Sequence, residues 1–174
     1  MNLSTIGIDP GLDGYIAWIR DGFYAACPIP VLPKGKSGHQ YDEATMVAAL
    51  RTIAPVELAV VEKQQAMPGQ GVSSMFAIGH GFGLIKGILA GLGIPYLVVH
   101  PRTWQKVMLR DAAGTDTKSR SIIVAGRLFP NVDLRRSERA HKPCADKADA
   151  LLLAHYGQLL LQGQTTTTAP PMSG

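Results

Sequence analysis

The rhythm of apolar and polar positions changes about a third of the way along the chain. Residues 3–8, 14–20 and 22–29 are short β-prone runs, with Asp13-Gly14 and Asp21-Gly22 between them. An Asp-Gly pair between such runs signals a hairpin, because the tight turn needs positive φ at both central residues. The pattern predicts three consecutive antiparallel strands. Residues 31–40, VLPKGKSGHQ, lose the alternation and read as a loop. Beyond them the period becomes helical: Met46, Leu50 and Ile53 mark one face of a helix over 42–54. A buried strand at 56–62 follows, then a long helix over about 70–92 and a strand at 95–99. A short helix at 101–109 and helices over 117–129 and 143–162 complete the pattern. Three strands followed by helix–strand alternation argue for an α/β fold with a mixed sheet. The tail QTTTTAPPMSG has nothing to bury, so one domain spans 1–162 and residues 163–174 read as disordered.

Two of the strands end on an acid. In IGIDPGLDG, residues 6–14, Ile6 and Ile8 lead into Asp9, and Pro10-Gly11 stop the strand. Burying a carboxylate without a partner costs roughly several kcal/mol, so Asp9 needs a cation, a ring of donors or water. The plain alternative is an Asp that caps its own turn. Val60 and Val61 lead into Glu62 in the same way. Ligands of open α/β sheets sit beyond the carboxyl ends of strands, so parallel neighbours here would bring Asp9 and Glu62 to one crevice. The third acidic place is ADKADALLLAHYG, residues 145–157, where Asp146 and Asp149 share a helical face. Taken alone, that pair reads as capping and dipole complementation.

Taken together, the four carboxylates point to a cation. Crowded carboxylates raise one another's pKa unless positive charge offsets them. Hard oxygen donors suit Mg²⁺ or Mn²⁺. Two such ions about 3.5–4 Å apart form the clamp used for phosphodiester cleavage. Competing chemistry is thin. His141 and Cys144 are two zinc-ligand types where a structural site needs four. Gly35-Lys36-Ser37 is no P-loop, because Pro30 stands where that motif needs glycine.

Composition narrows the picture. A chain of 174 residues, 46% hydrophobic and 17% charged, has the makings of one globular domain rather than a disordered segment. A net charge of +4 leans towards a polyanionic partner. Two cysteines, Cys27 and Cys144, form no disulfide framework, and the N-terminus lacks a signal-peptide pattern, so a reduced cytoplasm is the expected setting. Residues 71–99 are apolar and glycine-rich, but His80, Lys86 and Gly93-Ile94-Pro95 interrupt them. They read as a buried helix followed by a strand, not as a membrane span. Gly79, Gly83, Gly87 and Gly91 recur along that helix. Each costs about 1 kcal/mol against alanine, so a row of them suggests close approach of another backbone, from the helix's own sheet or from a second helix. Phosphate contacts need only positive charge near the backbone. The candidates are Lys34 and Lys36, Arg102 with Lys106, Lys118 with Arg120, and the run from Arg135 to Lys142; ordinary solvated surface is the alternative for each. Trp104 reads as core rather than as a stacking platform.

Five segments in order resemble the RuvC family of Holliday-junction resolvases, especially its shorter phage and prophage members. They are GIDPG (7–11), VVEKQ (60–64), HPRTWQKVM (100–108), TDTKSRSIIVAGRLFP (115–130) and DKADALLLAHYG (146–157). The resemblance covers residues 3 to 160. It implies an RNase H-like fold with a five-stranded mixed sheet and a homodimer formed around the glycine-bearing helix, with Gly79, Gly83 and Gly87 at its seam. It implies nicking of four-way DNA junctions with two Mg²⁺ ions per site, Mn²⁺ substituting, in the cytoplasm of a bacterium or phage-infected cell. Asp9, Glu62, Asp146 and Asp149 match the family's metal-binding positions, and Lys118 matches a DNA-contacting lysine. The family often carries an aromatic wedge just after the second strand acid. Here that segment is Gln64-Gln65-Ala66-Met67-Pro68, where Met67 is the apolar candidate. The competing readings are a non-enzymatic branched-DNA-binding relative and an actin-like ATPase, which would need two related domains.

Overall fold

The computed structural model describes residues 3–36, 38–65 and 69–165. Its first three strands are β1 (Thr5–Asp9), β2 (Tyr15–Arg20) and β3 (Phe23–Pro28), paired antiparallel in turn. Asp21 (φ 52°) and Gly22 (φ 78°) join β2 to β3 as the tight hairpin that their sequence predicts. Asp13-Gly14 works differently from the prediction. The β1–β2 connection runs from Pro10 to Gly14, Gly11 carries the positive φ (139°), and Gly14 N–H donates to Gly11 O at 3.0 Å. A side chain at Gly14 would collide with the carbonyl oxygen of Asp9, so this glycine provides close approach rather than turn geometry.

Residues 31–41 correct the expected loop. They form a hairpin of β4 (Val31–Lys34) and β5 (Gly38–Tyr41), a separate two-stranded sheet. Its strands are largely exposed, so no buried face writes an alternating pattern into the sequence. After α1 (Glu43–Ile53), β6 (Leu58–Glu62) enters the main sheet, followed by α2 (Val72–Gly91) and β7 (Tyr96–Val99). The chain continues as α3 (Pro101–Met108), α4 (Thr117–Leu128) and α5 (Ala145–Leu161). The sheet order is β3-β2-β1-β6-β7, with β1, β6 and β7 parallel. This is the mixed five-stranded α/β sheet expected, and its pairing of Ile8 with Val61 sets Asp9 beside Glu62.

Alternation along β1 and β6 divides two cores. Ile6, Ile8, Ala59 and Val61 pack with Met46 and Leu50 of α1 and Ile85 and Leu89 of α2. On the other face, Val60 joins α5, Trp104 of α3 and Val124 of α4. Gly7 lies on the α5 face. A side chain there would collide with Ala150 O and Ala154 N, so α5 rests directly on the β1 backbone. Thr5 Oγ1 fixes the contact by donating to Ala154 O at 2.9 Å.

The long helix also departs from expectation. Only Gly81, Ile85 and Leu89 of α2 are buried, while Val72 and Phe76 are 79% and 75% exposed. Gly79, Gly83, Gly87 and Gly91 stand two positions from that buried stripe, about 200° around the helix. No described atom lies within 4 Å of a Cβ built on any of the four. The row therefore does not pack on its own sheet. By length and composition α2 is apolar enough to cross a membrane.

Candidate active site

Three elements deliver the acids. Asp9 is the last residue of β1 and Glu62 the last of β6, each on the face that carries α5. Asp146 and Asp149 lie at the start of α5, which Gly7 lets settle onto β1. Cys144 is the N-cap of α5 and no side chain caps it, so neither acid has the capping role that spacing alone suggests. All four are partly buried, and every pair among them repels. Burial pushes Asp9 up to about 9, Glu62, Asp149 and Asp146 add to the rise, and Lys118 opposes it. Burial pushes Asp149 up to about 7; the Ser121 hydroxyl and Lys118 oppose, while Glu62 and Asp146 add. Glu62 is raised by burial first, with its hydrogen bond from Trp104 opposing and Asp146 adding. Asp149 Oδ1 is buried without a hydrogen bond among the described residues.

Two side chains bind acids of the group. The Trp104 indole N–H donates to Glu62 Oε2 at 2.7 Å. Arg136 reaches Asp146 Oδ2 at 3.4 Å while pairing with Asp13 Oδ1 at 2.7 Å. Among the described residues, no three His, Cys, Asp or Glu side chains stand together as a ligand set for one ion. The cations set against this like charge are, among the described residues, Lys118 and Arg136. The donor chemistry still fits a hard divalent cation. All four groups offer oxygen, one buried oxygen is unsatisfied, and a cation would relieve the repulsion.

The basic candidates separate. Lys118, exposed in the first turn of α4, is close enough to lower both Asp9 and Asp149. Arg102 and Lys106 are exposed on α3 and line a cavity of about 400 Å³ with Arg110, Thr117 and Arg120. The Arg120 guanidinium donates to Leu109 O, which ties it to the end of α3, and no acid pairs with it among the described residues. Lys34 and Lys36 sit at the exposed end of the β4–β5 hairpin. Arg135 is paired with Asp133 at 2.8 Å. Met67 lies outside the described residues. Sequence reasoning places Trp104 in the core, where it is, but misses its bond to Glu62. The missed signal is chemical: a buried indole N–H needs an acceptor.

No protein-family model matches the chain, and no curated protein matches it. Solved structures do. The Thermus thermophilus RuvC structure aligns with a TM-score of 0.57 at 16% identity, covering 94% of this chain and 98% of that one. T. thermophilus RuvC in complex with Holliday junction substrate aligns with a TM-score of 0.56 at 14% identity, covering 92% and 96%. At such identities the likeness speaks for the fold: the chain has the RNase H-like architecture of RuvC over nearly its whole length.

Proposed function

We propose that this chain is a structure-selective endonuclease that resolves four-way and related branched DNA junctions by metal-dependent phosphodiester hydrolysis. The observation that carries this reading is the arrival of four mutually repelling carboxylates from β1, β6 and α5 at one end of the sheet. Support comes from the fold it shares with RuvC, one of whose structures holds a Holliday junction substrate. The ordered motifs favour a short phage- or prophage-type member. Asp9, Glu62, Asp146 and Asp149 would hold two Mg²⁺ ions, with Mn²⁺ as a substitute. Bound there, such ions supply an activated water at neutral pH and offset charge on the phosphate.

The remaining roles belong to the chain itself. Lys118, near enough to favour the charged forms of Asp9 and Asp149, offers positive charge beside the acids to an incoming phosphate. Arg102, Lys106 and Arg110, none paired with an acid among the described residues, provide charge for neighbouring phosphates along α3. Lys34 and Lys36 add positive charge on the β4–β5 hairpin. A junction needs two cuts, and the open glycine face of α2 is suited to pairing two copies in a homodimer. The unjoined Cys27 and Cys144 suit a cytoplasmic setting.

The test is a cleavage gel on labelled four-way junction, flap and linear duplex DNA, each with Mg²⁺ or EDTA. Paired incisions of the junction with Mg²⁺, and none with EDTA or on the duplex, are expected. A second reading, a non-enzymatic branched-DNA-binding protein, draws on the lack of a ready ligand set among the described acids. Junction binding without cleavage in either Mg²⁺ or Mn²⁺ would select it.

A further inference from the structure

We infer that Trp104 is a positioning residue for Glu62, its indole N–H holding one carboxylate oxygen so that the other stays available to the crevice. The bond is 2.7 Å long and ends on Glu62 Oε2, and Oε1 makes no hydrogen bond among the described residues. Trp104 is the one buried residue of α3 and is fully inaccessible. Its placement is set by the helix start. Pro101 opens α3, and His100 caps it by accepting from Arg102 N–H at 3.3 Å. The fourth helical residue then turns back over the end of β6, joining two residues 42 apart in the chain.

A plainer account would make Glu62 merely the acceptor that a buried indole needs. It fails on cost. A glutamine or a backbone carbonyl would satisfy the indole without placing negative charge among three other carboxylates. The pair is economical only if the carboxylate is required and its direction matters. The N–H also favours the charged form of Glu62, which burial and Asp146 oppose. Groups that orient a metal-holding side chain in this way typically change metal affinity or activity by about 10–100-fold when removed.

The inference rests on the reading of Glu62 as a metal-holding acid, and its test keeps the two apart. Trp104→Phe retains most of the ring volume and removes the N–H. Calorimetric Mn²⁺ titrations of wild type, Trp104→Phe and Glu62→Gln would be run beside melting curves. Wild type should bind Mn²⁺, and Trp104→Phe should stay folded and bind about 10-fold more weakly or worse. The second measurement uses Trp18→Phe, which leaves Trp104 as the sole tryptophan. Its indole proton should give a hydrogen-bonded NMR resonance that moves during a Mg²⁺ titration. Failure of wild type to bind Mn²⁺ would bring down the functional reading. Metal binding by wild type with an unmoved indole resonance, or with unchanged affinity in folded Trp104→Phe, would overturn the role of Trp104 alone. Should Trp104→Phe unfold, the indole titration decides.

Discussion

At the scale of single residues, Asp9 is the most informative group. Its pKa, pushed up to about 9 from an ordinary 3.8, means that the folded protein keeps a proton the unfolded chain has released. The stability this contributes is complete below the unfolded value and is lost as pH rises through about 9. Asp149 adds a similar loss that ends near pH 7. Metal-free protein should therefore melt at a lower temperature at about pH 8.5 than at about pH 5. Asp9→Asn should flatten that decline, keep the fold and abolish cleavage by orders of magnitude, while junction binding in Ca²⁺ persists or tightens. Melting curves across pH, with cleavage and binding gels, read all of this. A variant that cuts at near wild-type rate would return Asp9 to the status of a turn residue. Lys118 faces the same acids from the opposite sign. Lys118→Ala should weaken junction binding and reduce its salt slope by about one phosphate's worth, measured by fluorescence anisotropy at several salt concentrations. An unchanged slope would make it ordinary surface. Asp9 and Glu62 stood out in the sequence because an apolar strand that ends on a carboxylate breaks its own pattern, whereas Asp146 and Asp149 read as capping until they were taken together with those two. Their partners could not be read in this way. The bonds from Trp104 to Glu62 and from Arg136 to Asp146 join elements or loops, and no local period encodes them.

At the scale of elements, the seating of α5 on β1 decides where the acids stand. Gly7 permits it, since any side chain there meets the backbone of Ala150 and Ala154. Backbone atoms cannot step aside as a flexible side chain could. Gly7→Ala should therefore lift the start of α5, move Asp146 and Asp149 away from Asp9 and Glu62, and cost about 1–3 kcal/mol or more. Urea denaturation should show the lost stability, and the Mn²⁺ affinity should fall with it. Wild-type stability would mean that α5 tolerates the displacement. The helices and the five sheet strands were legible because each buries a face and so carries a period. The β4–β5 hairpin was not, because it buries almost nothing. The openness of α2 was hidden for a different reason. A helix rich in apolar residues and glycine reads the same whether its cover is its own sheet, a second copy or lipid. Only Gly81, Ile85 and Leu89 of α2 are buried, with Phe82, Leu84 and Ile88 half-covered against the same core.

At the scale of the whole molecule, that open face calls for a cover. Val72 and Phe76 are largely exposed, and the glycine row between residues 79 and 91 has open space above it. Exposed apolar area of this kind marks an interaction surface, and glycines let a partner helix approach closely. The proposed cover is a second copy, so light scattering at micromolar concentration should give a dimer. Gly83→Leu and Gly87→Leu separate this idea from a fold effect. No described atom lies within 4 Å of a Cβ at either position, and leucine favours helix over glycine by roughly 0.8 kcal/mol. Each variant should therefore keep its helix content and melt no lower as a monomer, yet fail to pair because the bulk sits in the seam. Junction cleavage should then lose its paired character, with single nicks replacing coordinated cuts. A wild-type monomer would defeat the dimer. Flotation of wild type with anionic vesicles, kept or strengthened in the leucine variants because leucine adds apolar area, would instead assign the face to lipid.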